Sequence, residues 1–466
     1  MTRTIKHPPS YQWVPQPEAQ AVINEYVDSF LRACPFATNL AHDMSHRSGT
    51  KFIDWVDFIE APDASDLETR LIDVGFVETP DQDNNDETRV FEHHDGLFPL
   101  FVLSNSKDIQ LGIKVDSVSD FLSAWSITND YKIEGAPFAS LRRVRVSCET
   151  STTLWAVERH GCRTLCNEQN DPERCMSAMR HYESLRRRRR DWPSDALGWE
   201  RVNALVDAAI YDLGVDTACE LFFRAERDYW QRRNRAARIQ KSRQDELGLG
   251  WANHDHHTYR SSRKAFKDLV HLLEKLGFVC RERFYAGKEA GWGAQVLEQP
   301  ECRLVIFADV DLSEEEIVVD FAHEGLQPRD YLGTIGIWAG LHGESMLQAG
   351  MHHLECQFDY NALRDQLQSA GIQSMPPFTQ LAYLKQAFTE GERWQVDPVR
   401  VNRLLEAKLI TPAQANNFKM NGAIGSHLEN LERFDGYKGF NQHGVSDIIE
   451  RTDPRHQNND DPLIGA

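Results

Sequence analysis

Two stretches of this sequence, DLETRLIDVGFV at residues 66–77 and DLVHLLEKLGFV at residues 268–279, repeat one pattern. The offset between them is 202 residues (268 minus 66), and an aspartate, two leucines, a glycine, a phenylalanine and a valine coincide without a gap. The leucines recur at helical spacing and are followed by Gly75 or Gly277, which predicts an amphipathic helix ended by glycine. Because the same unit occurs twice, we expect a duplicated architecture.

The residues around both helices follow the same order of predicted elements. A strand precedes each helix: KFIDWVDFIE at residues 51–60, rich in β-branched and aromatic side chains, and NHDHHTYRS at residues 253–261. Strand-like pieces follow, among them TRVFEH, LFPLFVLS and IQLGIKVDS in the first copy and GWGAQVLEQ, CRLVIFADV and MHHLECQFD in the second. The predicted fold class is therefore α+β, with paired βαβββ modules.

The segments outside the two copies have a different character. Residues 171–247 predict helices punctuated by glycine and proline, and the sequence after about residue 360 is mixed and ends in a polar tail. The expected organisation is an N-terminal helical lead-in over 1–50, a first βαβββ module over 51–150, a helical insertion over 151–247, a second βαβββ module over 248–360, and a mainly helical C-terminal region with a loose tail over 361–466.

The composition is typical of a globular protein, since 41% of the 466 residues are apolar and 26% are charged. The net charge of −19 argues against nucleic acid as a main partner, because phosphate binding depends on clustered lysine and arginine. We find no secretory signal and no apolar run of roughly 18 residues, and nine scattered cysteines fit reduced thiols. We therefore expect a cytoplasmic protein with no membrane partner, and the oligomeric state stays open.

One basic run, LRRRRRDW, contains Arg186 to Arg190 in a row. A basic run can bind anions, but this one lies in a helical pattern rich in glutamate and aspartate. We interpret it as a solvated helix face paired with acidic neighbours.

Histidine is concentrated in HDHHTYR, residues 254–260, just ahead of the second repeated helix. Carrying the helix offset back into the preceding strands places His256 opposite Asp54 and Arg260 opposite Phe58. Two modules packed as a pair would bring their first strands to one cleft. We therefore expect the His256 imidazole and the Asp54 carboxylate to meet there as metal ligands.

Further ligands are expected from GMHHLECQFD at residues 350–359. Because side chains alternate along a strand, His353 and Glu355 share one face. Nitrogen and carboxylate ligands with open coordination positions are typical of non-haem Fe(II) oxygenases. The candidate metal ligands are therefore His256, Glu355, Asp54 and His353.

Each of these residues also has a purely structural interpretation. His256 can be a strand histidine that donates to a backbone carbonyl, and Asp54 can cap or bridge on the outer side of its strand. Arg260 can hold a substrate carboxylate through its two-pronged guanidinium, or it can form a salt bridge to an acidic residue such as Glu274.

Paired βαβββ modules with metal ligands on their strands resemble the vicinal oxygen chelate superfamily, the relatives of glyoxalase and the extradiol dioxygenases. DHHTYR is similar to the His-x-Thr-x-Arg motif in the second half of the 2-oxoadipate dioxygenase/decarboxylase family, with His256, Thr258 and Arg260 in its positions. FKMNGAIGSHLENL at residues 418–431 faintly resembles that family's late Ala-Gly-Ile-Phe-x-Ser-Asn-Leu stretch.

The resemblance implies that His256 is an iron ligand and that Glu355 is the strand carboxylate. It also implies the conversion of a 2-oxo dicarboxylate to a 2-hydroxy acid, with oxygen consumed and carbon dioxide released. The first half departs from that family, which carries histidine and, four residues on, arginine where this chain has Asp54 and Phe58.

Our leading hypothesis is therefore a metal-dependent enzyme, possibly a dioxygenase or decarboxylase, that acts on a small oxo or hydroxy organic acid. Fe(II) is the favoured cofactor, with zinc, manganese and nickel as alternatives. Arg260 would anchor the substrate carboxylate, while Thr258 and Tyr259 would shape the pocket wall. A metal-free binding or scaffold protein of the same fold and a glyoxalase-type isomerase or lyase are the competing hypotheses.

Overall fold

The first of two mixed β-sheets is built from the first repeated unit. The computed structural model describes residues 11–79, 88–128, 131–163, 165, 171–441 and 453–455. The strand order of this sheet is β2-β3-β4-β1-β5-β8-β7-β6. Its strands are β1 (Val56–Pro62), β2 (Val77–Thr79), β3 (Thr88–Glu92), β4 (Leu100–Ser104), β5 (Ile109–Lys114), β6 (Ile133–Glu134), β7 (Leu141–Cys148) and β8 (Thr152–Arg159).

The second sheet repeats this arrangement in the second unit, with the order β10-β11-β12-β9-β13-β17-β15-β14 and β16 paired to β17. In both sheets the strand before the repeated helix, β1 or β9, pairs in parallel on one side and antiparallel on the other. The strands are β9 (His254–Arg260), β10 (Val279–Tyr285), β11 (Trp292–Gln299), β12 (Leu304–Asp311), β13 (His353–Gln357), β14 (Thr379–Leu381), β15 (Leu384–Phe388), β16 (Glu392–Trp394) and β17 (Ala423–Arg433).

The predicted α+β fold with paired βαβββ modules is therefore confirmed. No helix in the described ranges is long and apolar enough to cross a membrane. The helices are α1 (Pro17–Ala33), α2 (Pro35–Asp43), α3 (Ser65–Asp73), α4 (Val118–Ala124), α5 (Pro172–Arg186), α6 (Asp195–Leu213), α7 (Val215–Gln231), α8 (Arg235–Asp245), α9 (Phe266–Lys275), α10 (Phe321–Glu324), α11 (Thr334–His342), α12 (Tyr360–Ser369), α13 (Pro398–Glu406) and α14 (Pro412–Asn421).

The repeated helices are α3 and α9, and the leucines of both are buried against their sheets. Each helix is followed by a glycine with a left-handed backbone, Gly75 at φ 95° and Gly277 at φ 88°. Glycine adopts this conformation without the steric cost that a β-carbon brings, so the chain can turn back at once into the next strand.

Two segments extend the modules beyond their expected ranges. Strand β8 belongs to the first sheet, although residues 151–247 were expected to form a helical insertion. The C-terminal region, expected to be mainly helical, supplies β14–β17 to the second sheet. Of the tail expected to be loose, only residues 453–455 lie within the described residues, and Thr334 donates a hydrogen bond to Asp453 there.

The helices α5–α8 share a hydrophobic core with the second module. Phe223 on α7, for example, packs edge-on against Tyr259 of β9 with ring centroids 6.1 Å apart. Helices α1 and α2 pack into the core of the first module instead.

The basic run after α5 is partly buried, so its interpretation as a solvated face is wrong for two members. Arg188 and Arg190 both contact Glu226 of α7, whose side chain is fully buried, and the Arg188 bond is 2.5 Å long. Arg188 also donates to the backbone carbonyl of Met346. One carboxylate thus neutralises two guanidinium groups between the helical insertion and the second module.

Glu226→Gln is expected to lower the free energy of unfolding by about 3–5 kcal/mol, because two buried guanidinium groups lose their counter-charge. Denaturant titration would measure the change. Glu200→Gln on α6 is the control, since its side chain is 66% exposed beside Arg201, and it should alter stability by less than about 0.5 kcal/mol. Equal changes in the free energy of unfolding would contradict the role of Glu226 as the counter-charge of Arg188 and Arg190.

Candidate metal centre

Three neighbouring strands of the second sheet each place one potential ligand at the same level. In the strand register, His256 of β9 is opposite Glu355 of β13, and Glu355 is opposite Glu429 of β17. One ligand atom from each of the three side chains lies within 4.8 Å of the others. All three side chains are buried. Pairing between strands that are distant in sequence therefore assembles a compact group of one imidazole and two carboxylates.

A local bulge orients the imidazole of His256. His256 pairs with Glu355 and His254 with Cys356, so that Asp255 between them is the extra residue of the strand. The His256 Nδ1 atom lies 2.9 Å from the Asp255 carboxylate. Since a carboxylate can only accept, Nδ1 carries the proton and Nε2 keeps its lone pair, directed toward Glu355 Oε1 at 3.3 Å.

The charge of Asp255 is held in turn by an arginine. Arg433, at the end of β17, donates two hydrogen bonds of 2.8 Å to the Asp255 carboxylate. Burial acts to raise the pKa of Asp255, but Arg433 and His256 hold it well below its usual value. Burial lowers the pKa of His256 to about 4, so the ring is neutral near pH 7. A neutral, carboxylate-oriented imidazole is the form in which histidine binds metal ions.

The two glutamates are each fixed by neighbouring side chains. Thr258 donates a 2.9 Å hydrogen bond to Glu355 Oε1, and His353 Nε2 lies 2.8 Å from the same oxygen. Gln386 donates a 2.8 Å hydrogen bond to Glu429. Burial raises the pKa of both carboxyl groups well above their usual range, and in Glu429 the charge of Glu355 raises it further. Two such carboxylates side by side require a proton or a cation between them.

This donor set fits a divalent transition metal. One imidazole nitrogen and two carboxylate groups suit Fe(II), Mn(II) and related ions, whereas thiolate ligands are absent from the group. His256 Nε2, Glu355 and Glu429 would hold the cation, and the adjoining cavity would leave its other coordination positions open.

The structure brings three of the four predicted ligands together and places the fourth elsewhere. His256, Glu355 and His353 lie side by side, and His353 contacts Glu355 rather than completing the group of three. Asp54 lies outside that group, in a 3-10 turn over Phe52–Trp55 ahead of β1. Its carboxylate is 3.7 Å from Lys51, and burial raises its pKa to about 6.

The strand register explains why Asp54 is displaced. In the first sheet, Phe58 is opposite Gly112 and Gly112 is opposite Trp155. These residues occupy the places of His256, Glu355 and Glu429, so Phe58 and not Asp54 is the counterpart of His256. A β-carbon on Gly112 would lie 2.3 Å from the Phe58 ring, which shows how closely the ring covers this position. The first module is therefore apolar where the second carries ligands.

The bulge itself is present in both modules. Asp57 is the extra residue of β1, and Arg159 at the end of β8 binds its carboxylate with a shortest distance of 2.6 Å. This pair matches Asp255 and Arg433 of the second module. The duplicated ion pair thus occurs with the imidazole in one module and without it in the other.

Asp255→Asn is expected to weaken metal binding about 10- to 100-fold, because the imidazole loses the carboxylate that orients it. Competition with a metal-sensitive chelating dye would measure the affinity below the unfolding temperature. Asp57→Asn removes the equivalent carboxylate of the first module and should leave the affinity unchanged. An equal loss in both variants would mean that the ion pair acts through stability alone.

An aromatic cavity opens beside the group of three ligands and contains Arg260. The Arg260 side chain is buried, its Nε and Nη1 atoms make no hydrogen bond within the described residues, and Asp309 is 3.9 Å away. Glu274, the alternative partner, contacts His323 instead. Burial lowers the pKa of Arg260 to about 10 and raises that of Asp309 to about 8. The aromatic lining consists of Phe284, Trp292, Phe307, Phe378, Phe388 and Phe440.

Glu429 is a candidate ligand that the sequence analysis missed. It lies in the GAIGSHLENL stretch, which was considered only as a faint family resemblance within a mainly helical region. Strand β17 is buried along its whole length, so its sequence does not alternate between polar and apolar residues. The available signal was the spacing of His427 and Glu429, which places two potential ligands on one face of a strand.

No protein-family model matches the chain, and no curated protein matches it. Similar solved structures include a variant of 4-hydroxymandelate synthase from Streptomyces coelicolor, which is 11% identical, covers 88% of this chain and 100% of its own, and has a TM-score of 0.29. Methylmalonyl-CoA epimerase from Mycobacterium tuberculosis is 14% identical over 39% of this chain and 89% of its own, with a TM-score of 0.23. A 2,3-dioxygenase from Pseudomonas sp. KL28 is 9% identical over 84% of this chain and 95% of its own, with a TM-score of 0.20.

These likenesses are distant, since none of the three structures exceeds 14% identity or a TM-score of 0.29. The matching strand order and the shared bulge relate the two modules of this chain to each other. The second module carries the candidate ligands, and the first module is its apolar counterpart.

Proposed function

We propose that this chain is a metal-dependent enzyme that acts on a small oxo or hydroxy organic acid. His256, Glu355 and Glu429 would hold a divalent cation, for which Fe(II) is our first choice. The observation that carries the proposal is the convergence of these three buried side chains beside a cavity that contains a buried arginine, whose nearest carboxylate, that of Asp309, is 3.9 Å away.

The cavity suits an acid with an apolar or aromatic body. Arg260 would bind the substrate carboxylate through its guanidinium fork. It lies four residues after His256 on the same face of β9, about 13 Å along the strand, so the carboxylate and the chelating oxygens would occupy separate ends of the substrate. The phenylalanine and tryptophan side chains would pack on the body between them and exclude water.

Once bound, the cation would supply Lewis-acid polarisation of two neighbouring substrate oxygens. Thr258 and His353 would keep the Glu355 carboxylate in place and act as positioning residues rather than as catalytic ones. Asp309 faces the same cavity, and its raised pKa means that it holds a proton near neutral pH. It is therefore placed to donate a proton within the cavity.

Metal analysis of the purified protein combined with oxygen-electrode assays tests this proposal. We expect close to one divalent metal per chain and turnover of 2-oxo acids by the Fe(II)-loaded protein, with oxygen uptake if the reaction is a dioxygenation. Turnover without oxygen uptake would assign an isomerase or lyase. A protein that binds neither iron, manganese, zinc nor nickel would overturn the proposal in favour of a metal-free binding protein.

A further inference from the structure

A second cavity lies between the first sheet, helix α7 and the turn that joins β11 and β12 of the second sheet. It is distinct from the aromatic cavity, since the two have no lining residue in common. Its walls are strongly charged. The cationic lining residues are Lys114, Arg159, Arg163, Arg224, Arg227 and Arg303, and the carboxylates are Asp57, Asp116, Glu220 and Glu301.

Several of these charges are already neutralised by close partners. Arg159 binds Asp57, and Arg227 binds Glu220 at 2.8 Å. Arg163 contacts Glu92, which is not part of the lining. Asp57 and Glu220 are thus committed to these arginines, and Asp116 accepts a 2.7 Å hydrogen bond from the backbone N–H of Trp251.

Lys114, Arg224 and Arg303 are different, because none of them has an ion pair within 4 Å among the residues that the structure describes. Arg224 lies over the Tyr182 ring at 5.2 Å. Burial lowers the pKa of Lys114, and the positive charge of Arg303 lowers it further. Burial, together with the positive charge of Arg163, lowers the pKa of Arg303 to about 10. The two side chains therefore repel each other across a partly buried space.

We propose that this cavity binds a small oxyanion with at least two negative charges, either a phosphate or a di- or tricarboxylate, between Lys114 and Arg303. Such an anion would supply the missing counter-charge, and the guanidinium of Arg303 could bind two of its oxygens at once. The site is internal and the chain carries a net charge of −19, which disfavours an anionic polymer as the occupant.

The position of this cavity is independent of the metal ligands. Its first-module wall is formed by β1, β4, β5 and β8, and its second-module wall by the beginning of β9 and the turn between β11 and β12. A bound anion would thus bridge the two modules. The proposal does not depend on the function proposed for the metal centre.

Calorimetric titration with inorganic phosphate, and separately with citrate and succinate, tests the site in chloride buffer of constant ionic strength. The full-length Glu429→Gln variant, treated with EDTA that is then removed by dialysis, serves as background, so that the anions cannot act through a metal ion. We expect saturable binding of at least one anion, weakened at least about tenfold when both Lys114→Met and Arg303→Met are introduced. A phosphate preference or a carboxylate preference would identify the class of ligand.

Thermal unfolding provides a second measurement, because the substitutions that weaken anion binding are expected to stabilise the anion-free protein. In chloride alone, the Lys114→Met, Arg303→Met protein is expected to unfold at a higher temperature than its parent, because two repelling charges are gone, and phosphate should no longer raise that temperature. Lys385→Met with Arg364→Met is the matched control, since these residues pair with Glu432 and Asp365 far from the cavity lining.

Two results would overturn the proposal. One is that none of the three anions binds the parent protein. The other is that they stabilise the parent and the double variant equally, as expected of a general salt effect. If the double variant does not fold, the single Lys114→Gln and Arg303→Gln variants allow the same titration.

Discussion

Glu429→Gln is expected to abolish stoichiometric metal binding and, at the same time, to stabilise the metal-free protein. Glu429 and Glu355 are both buried, and their ligand atoms lie within 4.8 Å of each other. Without a cation, these carboxylates must repel each other or hold a proton. An amide removes that conflict and can still accept the hydrogen bond from Gln386, but it is a poor ligand for a hard cation.

We expect metal affinity to fall by more than about 100-fold, because a direct ligand is lost rather than one of its supporting partners. The metal-free variant should gain about 1–2 kcal/mol in free energy of unfolding, since an uncompensated buried charge is removed. Elemental analysis and denaturant titration with and without Mn(II) would measure both effects. A variant that loses stability but keeps its metal would exclude Glu429 as a ligand.

Glu432→Gln is the matched control for this experiment. Glu432 is on the same strand, three residues after Glu429, and its carboxylate pairs with Lys51 and Lys385. Its substitution should leave the metal content unchanged and should not stabilise the protein.

Arg260→Met is expected to lower the affinity for carboxylate substrates by about 100-fold, the loss of a charge-assisted interaction of about 3 kcal/mol, while metal binding is retained. Arg260 contacts none of the three ligands and has only Asp309, at 3.9 Å, as a counter-ion. Because burial raises the pKa of Asp309 to about 8, this carboxyl group can stay protonated in the variant, and we expect little loss of stability.

Calorimetry of the Mn(II)-loaded protein with 2-oxoglutarate, whose second carboxylate is remote from its chelating oxygens, would measure the affinity. Pyruvate and phenylpyruvate, which have no second carboxylate, serve as control ligands. Arg260→Lys should recover only part of it, since lysine keeps the charge but not the guanidinium fork. Unchanged binding of 2-oxoglutarate by Arg260→Met would show that the remote carboxylate lies elsewhere.

Local sequence patterns were sufficient for the modules and for part of the site. The repeated helices and their glycines revealed the duplication, and strand alternation placed His353 and Glu355 on one face. These features depend on residues that are close in sequence. Each can therefore be recognised from the spacing of a single element.

The errors concern relations that the spacing within a single element does not determine. The connection from β1 to α3 is shorter than that from β9 to α9, so the helix offset did not apply to the strands and Asp54 was matched in place of Phe58. Glu429 pairs in parallel with Glu355 only after α12–α14 have intervened. Arg188 and Arg190 likewise find Glu226 on another helix.

The bulge ion pair in the first module has a consequence for protein design. Asp57 is already anchored by Arg159 next to Phe58, as Asp255 is anchored next to His256. A triple variant with Phe58→His, Gly112→Glu and Trp155→Glu would therefore introduce a set of metal ligands. The carboxylate that would orient the new imidazole, that of Asp57, is already present. The smaller imidazole ring would also leave more room for a side chain at position 112, which the Phe58 ring now crowds. Uptake of a second equivalent of Mn(II) by the triple variant would show that one module can be converted into a working copy of the other.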